Sequence, residues 1–395
     1  MAGLYIHIPF CKSRCTYCGF YSTTLLELRQ RYVDALCREM ETRRPPLTAN
    51  HTIYLGGGTP SQLTTQQLEQ LFLYINKVYQ LPSMQGGVEG GVSEVTIECN
   101  PDDVTSAYAA ALPQLGINRV SMGAQTFNDE RLRFLNRRHT ADQVPQAVKR
   151  LRQAGIRNIS IDLMYGFPQE SLADWERDID AALALGVEHL SAYCLMYEEG
   201  TPLYRLLQQG SIHEVDEETE RQMYELLMDK LQAAGYEHYE ISNWSLTPRT
   251  QPSERELKSY RSQHNSNYWR DVPYIGLGAA AHSYDGQRRS WNVADVNEYI
   301  LRVENGESPV EDSERIEGWT RYNDRVTVAL RTCEGLDLTT LTDEERDYCM
   351  KNARRFLDDG LLKLTTHHSP LATHLCLTRE GLFVSNMVMS ELMRV

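Results

Sequence analysis

Residues 5–20 read YIHIPFCKSRCTYCGF. Leu4, Tyr5, Ile6, His7 and Ile8 alternate with the two-residue period of a short strand. Directly after it, Cys11, Cys15 and Cys18 form a C-x3-C-x2-C array. Thiolates crowded into a loop at a strand end suit an iron–sulfur cluster, whose irons are ordinarily held by four cysteines. Only three are present here, because Phe20 stands two positions past Cys18. A cubane held by three thiolates keeps one iron open for a different ligand. Zinc is the competing reading. Zinc sites, however, pair C-x2-4-C with a second Cys or His pair further on. No such pair follows: His7 lies inside the strand and Cys37 falls in a helical stretch.

Outward from this loop, strand and helix alternate. Leu25, Leu28, Tyr32, Leu36 and Met40 recur at helical spacing between Thr24 and Arg43, and Pro45-Pro46 ends that helix. His51–Leu55 reads as a second strand running into Gly56-Gly57-Gly58-Thr59-Pro60. A helix is expected over Thr65–Tyr79, followed by a Gly-rich loop over residues 84–94. A third strand ends at Glu98, a fourth (from Arg119) in Ala124-Gln125, and a fifth (from Asn158) carries Asp162. A sixth is expected over His189–Met196. The intervening helices fall near residues 105–115, 129–135, 142–153 and 172–185.

Such alternation implies parallel strands joined by right-handed crossovers, in a (β/α) barrel or a doubly wound sheet. Singly, each strand-end residue has an ordinary explanation. The glycines could make a tight turn, and they lack the G-x-G-x-x-G spacing of a dinucleotide site. Glu98 and Asp162 could be solvated charges, and Gln125 a space filler. Their recurrence at successive strand ends favours the barrel, which gathers all those ends around one mouth. A doubly wound sheet uses only its switch point. The expected fold class is α/β: a partial (β/α)6 TIM-like barrel with a mainly helical, winged-helix-like C-terminal region.

Past Thr201 the pattern changes. Asp216–Ala234 reads as an amphipathic helix, HYEISNWS (residues 238–245) as one further strand, and residues 246–262 as an exposed polar loop. Then comes His264-Asn265-Ser266-Asn267-Tyr268-Trp269, followed by YIGLGAAAHSY. From about Glu298 short helices are expected, with a helix–turn–strand–turn–helix run at the end. The expected division is residues 1–235 for the barrel, 236–297 for a connecting region and 298–395 for the C-terminal domain.

Bulk properties bound the class. Hydrophobic residues make up 41% and charged residues 24% of 395, as in ordinary globular chains. No apolar run approaches the ~20 residues of a membrane span. Nine cysteines without an even framework argue for a reducing compartment. With the first strand beginning almost at Met1, a cytoplasmic location is expected. The net charge of −14 and the lack of a basic stripe argue against a nucleic-acid partner.

Together, the cysteine array inside YIHIPFC, GGGTP, ECNP, SMGAQ, Arg137 and IDLMYGFP resemble a radical S-adenosylmethionine (SAM) protein. Within that superfamily the chain is similar to the oxygen-independent coproporphyrinogen III oxidase group, and most of all to its heme chaperone branch, the HemW family. The resemblance implies that Cys11, Cys15 and Cys18 ligate a [4Fe–4S] cluster whose fourth iron chelates SAM. Tyr5 would lie beside them, and Gly57, Gly58 and Thr59 would contact the methionine part. Glu98, Gln125, Arg137 and Asp162 would complete the pocket. In the wider superfamily an electron from the reduced cluster cleaves SAM, so a donor such as flavodoxin or ferredoxin is implied.

Three features separate chaperone from oxidase within this resemblance. The oxidases carry a further cysteine where Phe20 stands, after an N-terminal extension. His264-Asn265-x-x-Tyr268-Trp269 matches the HNxxYW signature of the chaperone branch, which implies heme binding by His264 and transfer to an acceptor, such as a membrane-bound respiratory enzyme. The rival readings are coproporphyrinogen oxidation and a radical-SAM methyltransferase. If the cluster assignment is right, Cys15→Ser abolishes the cluster's visible absorbance after anaerobic reconstitution; retention of that absorbance would refute it.

Overall fold

The computed structural model describes residues 3–43, 51–79, 92–247, 260–366 and 372–394. The proline pair at 45 and 46, residues 84–91 of the Gly-rich stretch and residues 248–259 of the polar stretch lie outside these. Strands β1 (Gly3–Ile8), β2 (Thr52–Gly57), β3 (Glu94–Cys99), β4 (Arg119–Gln125), β5 (Asn158–Tyr165) and β6 (His189–Cys194) lie side by side in chain order. All these neighbours are parallel. The order never reverses, so there is no switch point, and the winding is that of an opened (β/α) barrel.

The two-residue period explains why each segment is a strand. Leu4, Ile6 and Ile8 in β1, Ile53 and Leu55 in β2, and Val95 and Ile97 in β3 are fully buried in one core with Tyr32, Leu36 and Leu68 of the crossover helices. The alternate residues form the opposite face. Register stacks them in layers: Tyr5 beside Tyr54, Thr96 beside Arg119, and Glu98, Ser121, Ser160 and His189 in one row. The inner face is therefore polar along its whole width.

Residues 236–297 supply strands to both edges of this sheet. HYEISNWS is not one strand but most of a hairpin, β7 (Tyr236–Glu240) and β8 (Asn243–Leu246), with β8 antiparallel to β6. On the other edge β9 (Tyr274–Leu277) pairs parallel with β1. Strands β10 (His282–Tyr284), β11 (Arg288–Asn292) and β12 (Val310–Arg315) extend that edge antiparallel, which completes a 12-stranded sheet. Strand β12 falls where only helices were expected. Its sequence, VEDSER, has no apolar alternation, because it is an exposed edge strand with little to bury.

The C-terminal region is mainly helical, as expected, and has its own core. Tyr322 and Val326 from helix Gly318–Ala329 pack with Cys349 and Phe356 from helix Asp343–Asp358. A small sheet, β13 (Leu336–Asp337), β15 (His374–Leu377) and β14 (Leu362–Thr365), completes it.

One buried carboxylate ties the β9–β11 edge to the first helix (Arg29–Thr42). Glu39 accepts hydrogen bonds from Gly278 N (2.8 Å), Asn292 Nδ2 (2.8 Å), Tyr299 Oη (2.6 Å) and Arg43 Nη1 (2.7 Å). Removing it leaves the Gly278 amide and the Tyr299 hydroxyl without an acceptor and takes from Arg43 its carboxylate partner, although Arg43 and Asn292 keep other acceptors. Glu39→Ala should lower stability by roughly 3 kcal/mol in urea unfolding, with Glu39→Gln clearly milder.

Candidate functional site

The cysteine loop leaves β1 through Pro9 and the fully buried Phe10, whose ring meets Tyr32 edge-on at 5.3 Å. Its ends are clasped by Thr23 N to Pro9 O (2.7 Å) and Cys11 N to Thr23 O (2.9 Å). Its middle is tied down by Thr16 N to Leu135 O (3.1 Å) and Leu203 N to Thr16 O (3.0 Å). The turn after β2 lies against the loop's root: Gly58 N donates to Ile8 O at 2.9 Å. A Cβ on Gly58 would stand 2.7 Å from the Pro9 carbonyl and 3.1 Å from Cys11 Sγ, so only glycine fits. Gly57 has φ +109°, and Thr59 Oγ1 lies 3.3 Å from Cys11 Sγ. Burial pushes the Cys11 and Cys18 thiols up, while the Thr59 hydroxyl and the Arg137 charge favour the Cys11 thiolate.

Two half-buried carboxylates face the loop. Glu98 accepts from Tyr54 Oη (2.7 Å) and Gly57 N (3.2 Å). Burial raises its pKa to about 7 against those bonds, with Asp162 adding repulsion. Asp162 is raised to about 6 by burial, opposed by Ser191, Arg119 and Ser121. Held this way, each carboxyl is poised for a cationic ligand group.

Arg137 and Arg138 divide cleanly. Arg137 points to the mouth, 3.6 Å from Cys15 Sγ and hydrogen-bonded to Asn100 Oδ1 and Gly123 O. Arg138 is committed to Asp102 (2.9 Å) and Asp103 (3.1 Å). Gln125 ends β4 at φ +67°, beyond a register shift between Gly123 and Gln125. A non-glycine residue held there beside a bulge is a common mark of a site residue.

Gly58, Thr59 and Arg137 thus lie against the cysteine loop, with Gly57, Glu98, Gln125 and Asp162 at the neighbouring strand ends, whereas Tyr5 sits deeper, its hydroxyl 3.0 Å from His7 Nδ1 and its ring 6.4 Å from that of His264. Among the described residues no three His, Cys, Asp or Glu side chains gather around one metal ion, which is what zinc would need. A cubane asks for a different arrangement, since each thiolate takes its own iron. Three thiols in a clasped loop over a glycine cradle, with Arg137 beside one of them, fit that demand.

Three further residues escaped sequence reasoning. Tyr17 interacts electrostatically with Arg137, Cys15, Cys18 and Asp162, and its only signal was its place between two cysteines. Asn100 and Ser121 orient Arg137 and Asp162. Asn100 shares the face of Glu98 two positions on; Ser121 shows only through strand register.

His264 lies at the other end of the barrel. Helix Gln263–Trp269 closes the floor, where the Glu94 carboxylate receives the Gln263 and His264 amides (both 3.0 Å). The His264 ring is 1% exposed, with Nδ1 2.8 Å from Thr52 Oγ1 and Nε2 2.8 Å from Tyr268 Oη. Burial lowers its pKa to about 3, so it is neutral. It stacks on Tyr54 at 5.1 Å, and Tyr54 holds Glu98. Its ring thus supports the pocket from below.

Residues 5–182 match the Radical SAM superfamily. The heme chaperone HemW of Bacillus subtilis strain 168 is 34% identical, covering 98% of this chain and 98% of its own length. The chain belongs to the HemW family. HemW from Mycobacterium tuberculosis strain H37Rv is 33% identical over 91% of this chain and 88% of its own. The HemW-family backbone here is also similar to the radical SAM enzyme coproporphyrinogen III oxidase (HemN) from Escherichia coli. The TM-score is 0.79 at 20% identity, covering 99% of this chain and 89% of that one, a likeness of fold. Membership of the superfamily implies SAM and a [4Fe–4S] cluster. Among the described residues no helix is long and apolar enough to cross a membrane.

Raised carboxyl pKa values give pH a sign. Stability contributed by neutral Glu98 is fully present below about 4.5 and is lost as pH rises through about 7. A cationic ligand group set against Glu98 would need the ionised form, so its binding would run the other way. SAM affinity of the reconstituted protein should rise about tenfold from pH 5.5 to 7.5, with proton release visible in calorimetry across buffers; a flat profile would refute it.

Proposed function

We propose that this protein binds heme and passes it to an acceptor protein, with a SAM-liganded [4Fe–4S] cluster at the barrel mouth. The observation that carries this reading is the alignment, along nearly the whole chain, with relatives named as heme chaperones. Phe20 agrees with it, since it is 73% exposed beside the cluster loop and offers no fourth thiolate.

In this reading Cys11, Cys15 and Cys18 hold the cluster, and the cluster with SAM supplies one-electron chemistry. Gly57 and Gly58 let the methionine part of SAM approach the backbone, and Thr59 supports Cys11. Glu98 and Asp162 face its cationic groups, Arg137 its carboxylate, and Tyr5 and Gln125 close the pocket. The family signature would give the heme iron to His264. In this geometry that requires the ring to release Thr52 or Tyr268. The acceptor would be a heme protein such as a membrane-bound respiratory enzyme, met peripherally from the cytoplasm. The electron donor would be a flavodoxin or ferredoxin.

The test is an anaerobic assay of the reconstituted protein. It should bind heme stoichiometrically and leave coproporphyrinogen III unconverted in the presence of SAM and reductant. Formation of protoporphyrinogen would replace the chaperone reading with oxidative decarboxylation.

A further inference from the structure

Between the barrel floor and the C-terminal region lies a cavity of about 360 Å³, within the size range of small-ligand sites. Its walls include Trp269 and Arg270 from the floor, and Arg325, Val328, Leu336 and His374 from the C-terminal region. We propose that heme seats in this cavity, with His374 as the ligand to iron and Arg270 facing a propionate. This deepens the heme-binding reading and rests on it.

Three observations carry the assignment. The first is the state of His374, the first residue of β15. Its Nδ1 is buried without a partner, and among the described residues its ring makes no hydrogen bond. A buried imidazole nitrogen with no partner is unusual, because buried polar groups are nearly always satisfied. It is also what iron ligation asks for: a ring nitrogen free to bind. His264 is the reverse case, with both nitrogens bonded and its ring supporting Tyr54 beneath Glu98.

The second is the aromatic and apolar wall. Trp269, from the same signature as His264, lines the cavity with its Nε1 unpartnered, beside Val328 and Leu336. Its ring also carries the Arg331 guanidinium at 5.2 Å. The floor helix thus gives its histidine to the barrel and its tryptophan to the cavity, and a planar macrocycle would lie along that wall.

The third is charge. Arg270 is exposed and makes no ion pair among the described residues. Arg325 donates to Thr340 O at 3.0 Å and stands 3.7 Å from Asp271. The acids on the same walls are already engaged: Asp271 with Arg321, Glu334 with Arg261, and Asp337 with the Thr339 amide. Of the three arginines on these walls, Arg270 alone has no ion pair among the described residues, so a ligand carboxylate set beside it would meet a free partner.

The full chain is titrated with ferric heme and, separately, with metal-free protoporphyrin. In His374→Ala the affinity for ferric heme should fall about tenfold or more and the Soret band should move, with both restored by added imidazole. Affinity for metal-free protoporphyrin should be unchanged in that variant. Arg270→Glu should weaken both ligands by a similar factor. A His374→Ala chain that binds heme with the parent's affinity and spectrum overturns the cavity assignment while the chaperone reading stands. A parent chain that binds no heme overturns both.

Discussion

The mouth of the barrel depends on how closely one turn can approach another. The Gly58 amide reaches the Ile8 carbonyl at the root of the cysteine loop, and no side chain could be accommodated there. That approach sets Thr59 against Cys11 and turns the Gly57 amide toward Glu98. Glu98 in turn holds Tyr54, whose ring rests on His264. A backbone contact between two adjacent parallel strands thus fixes the height of the loop above the inner face. The same contact aligns a column of side chains running from mouth to floor.

The two edges of the sheet are secured by different means. At one, the β7–β8 hairpin pairs with β6, and His189 bridges Ser160 (2.7 Å) and Tyr239 (2.8 Å) beneath it. At the other, Glu39 collects donors from three segments distant in sequence. A single buried acid is an economical solution there, because the turn around Gly278 needs an acceptor for amides that no strand supplies. The cost is fragility, since the Gly278 amide and the Tyr299 hydroxyl have no other acceptor among the described residues.

How much of this was legible in the sequence follows from how far each signal travels. Helix Thr65–Tyr79 and helix Leu172–Ala184 were readable because their apolar stripes repeat locally. So were the six strand ends, since a glycine or charge following a strand is a one-dimensional feature. The hairpin of β7 and β8 was not separable, because Ile241 and Ser242 between them are no stronger a turn signal than their neighbours. Strand β12 was invisible, as an exposed edge has no buried face to mark. Arg137 could be chosen over Arg138 only by family resemblance. Both are arginines, and what separates them is that Asp102 and Asp103 occupy the second.

By itself, the order of residues determined the thiol array, the missing fourth cysteine at Phe20, and the parallel winding that brings strand ends together. These are properties of spacing along the chain, and hydrophobic periodicity records them directly. Only the tertiary structure decided that His264 is a buried, doubly bonded support beneath the pocket, that Tyr17 and Asn100 belong to the mouth, and that His374, with no hydrogen-bond partner among the described residues, lines one cavity with Trp269. Each of these turns on which groups meet after folding. A histidine's chemistry depends on what its two nitrogens touch, and that is settled by register and packing between segments far apart in sequence.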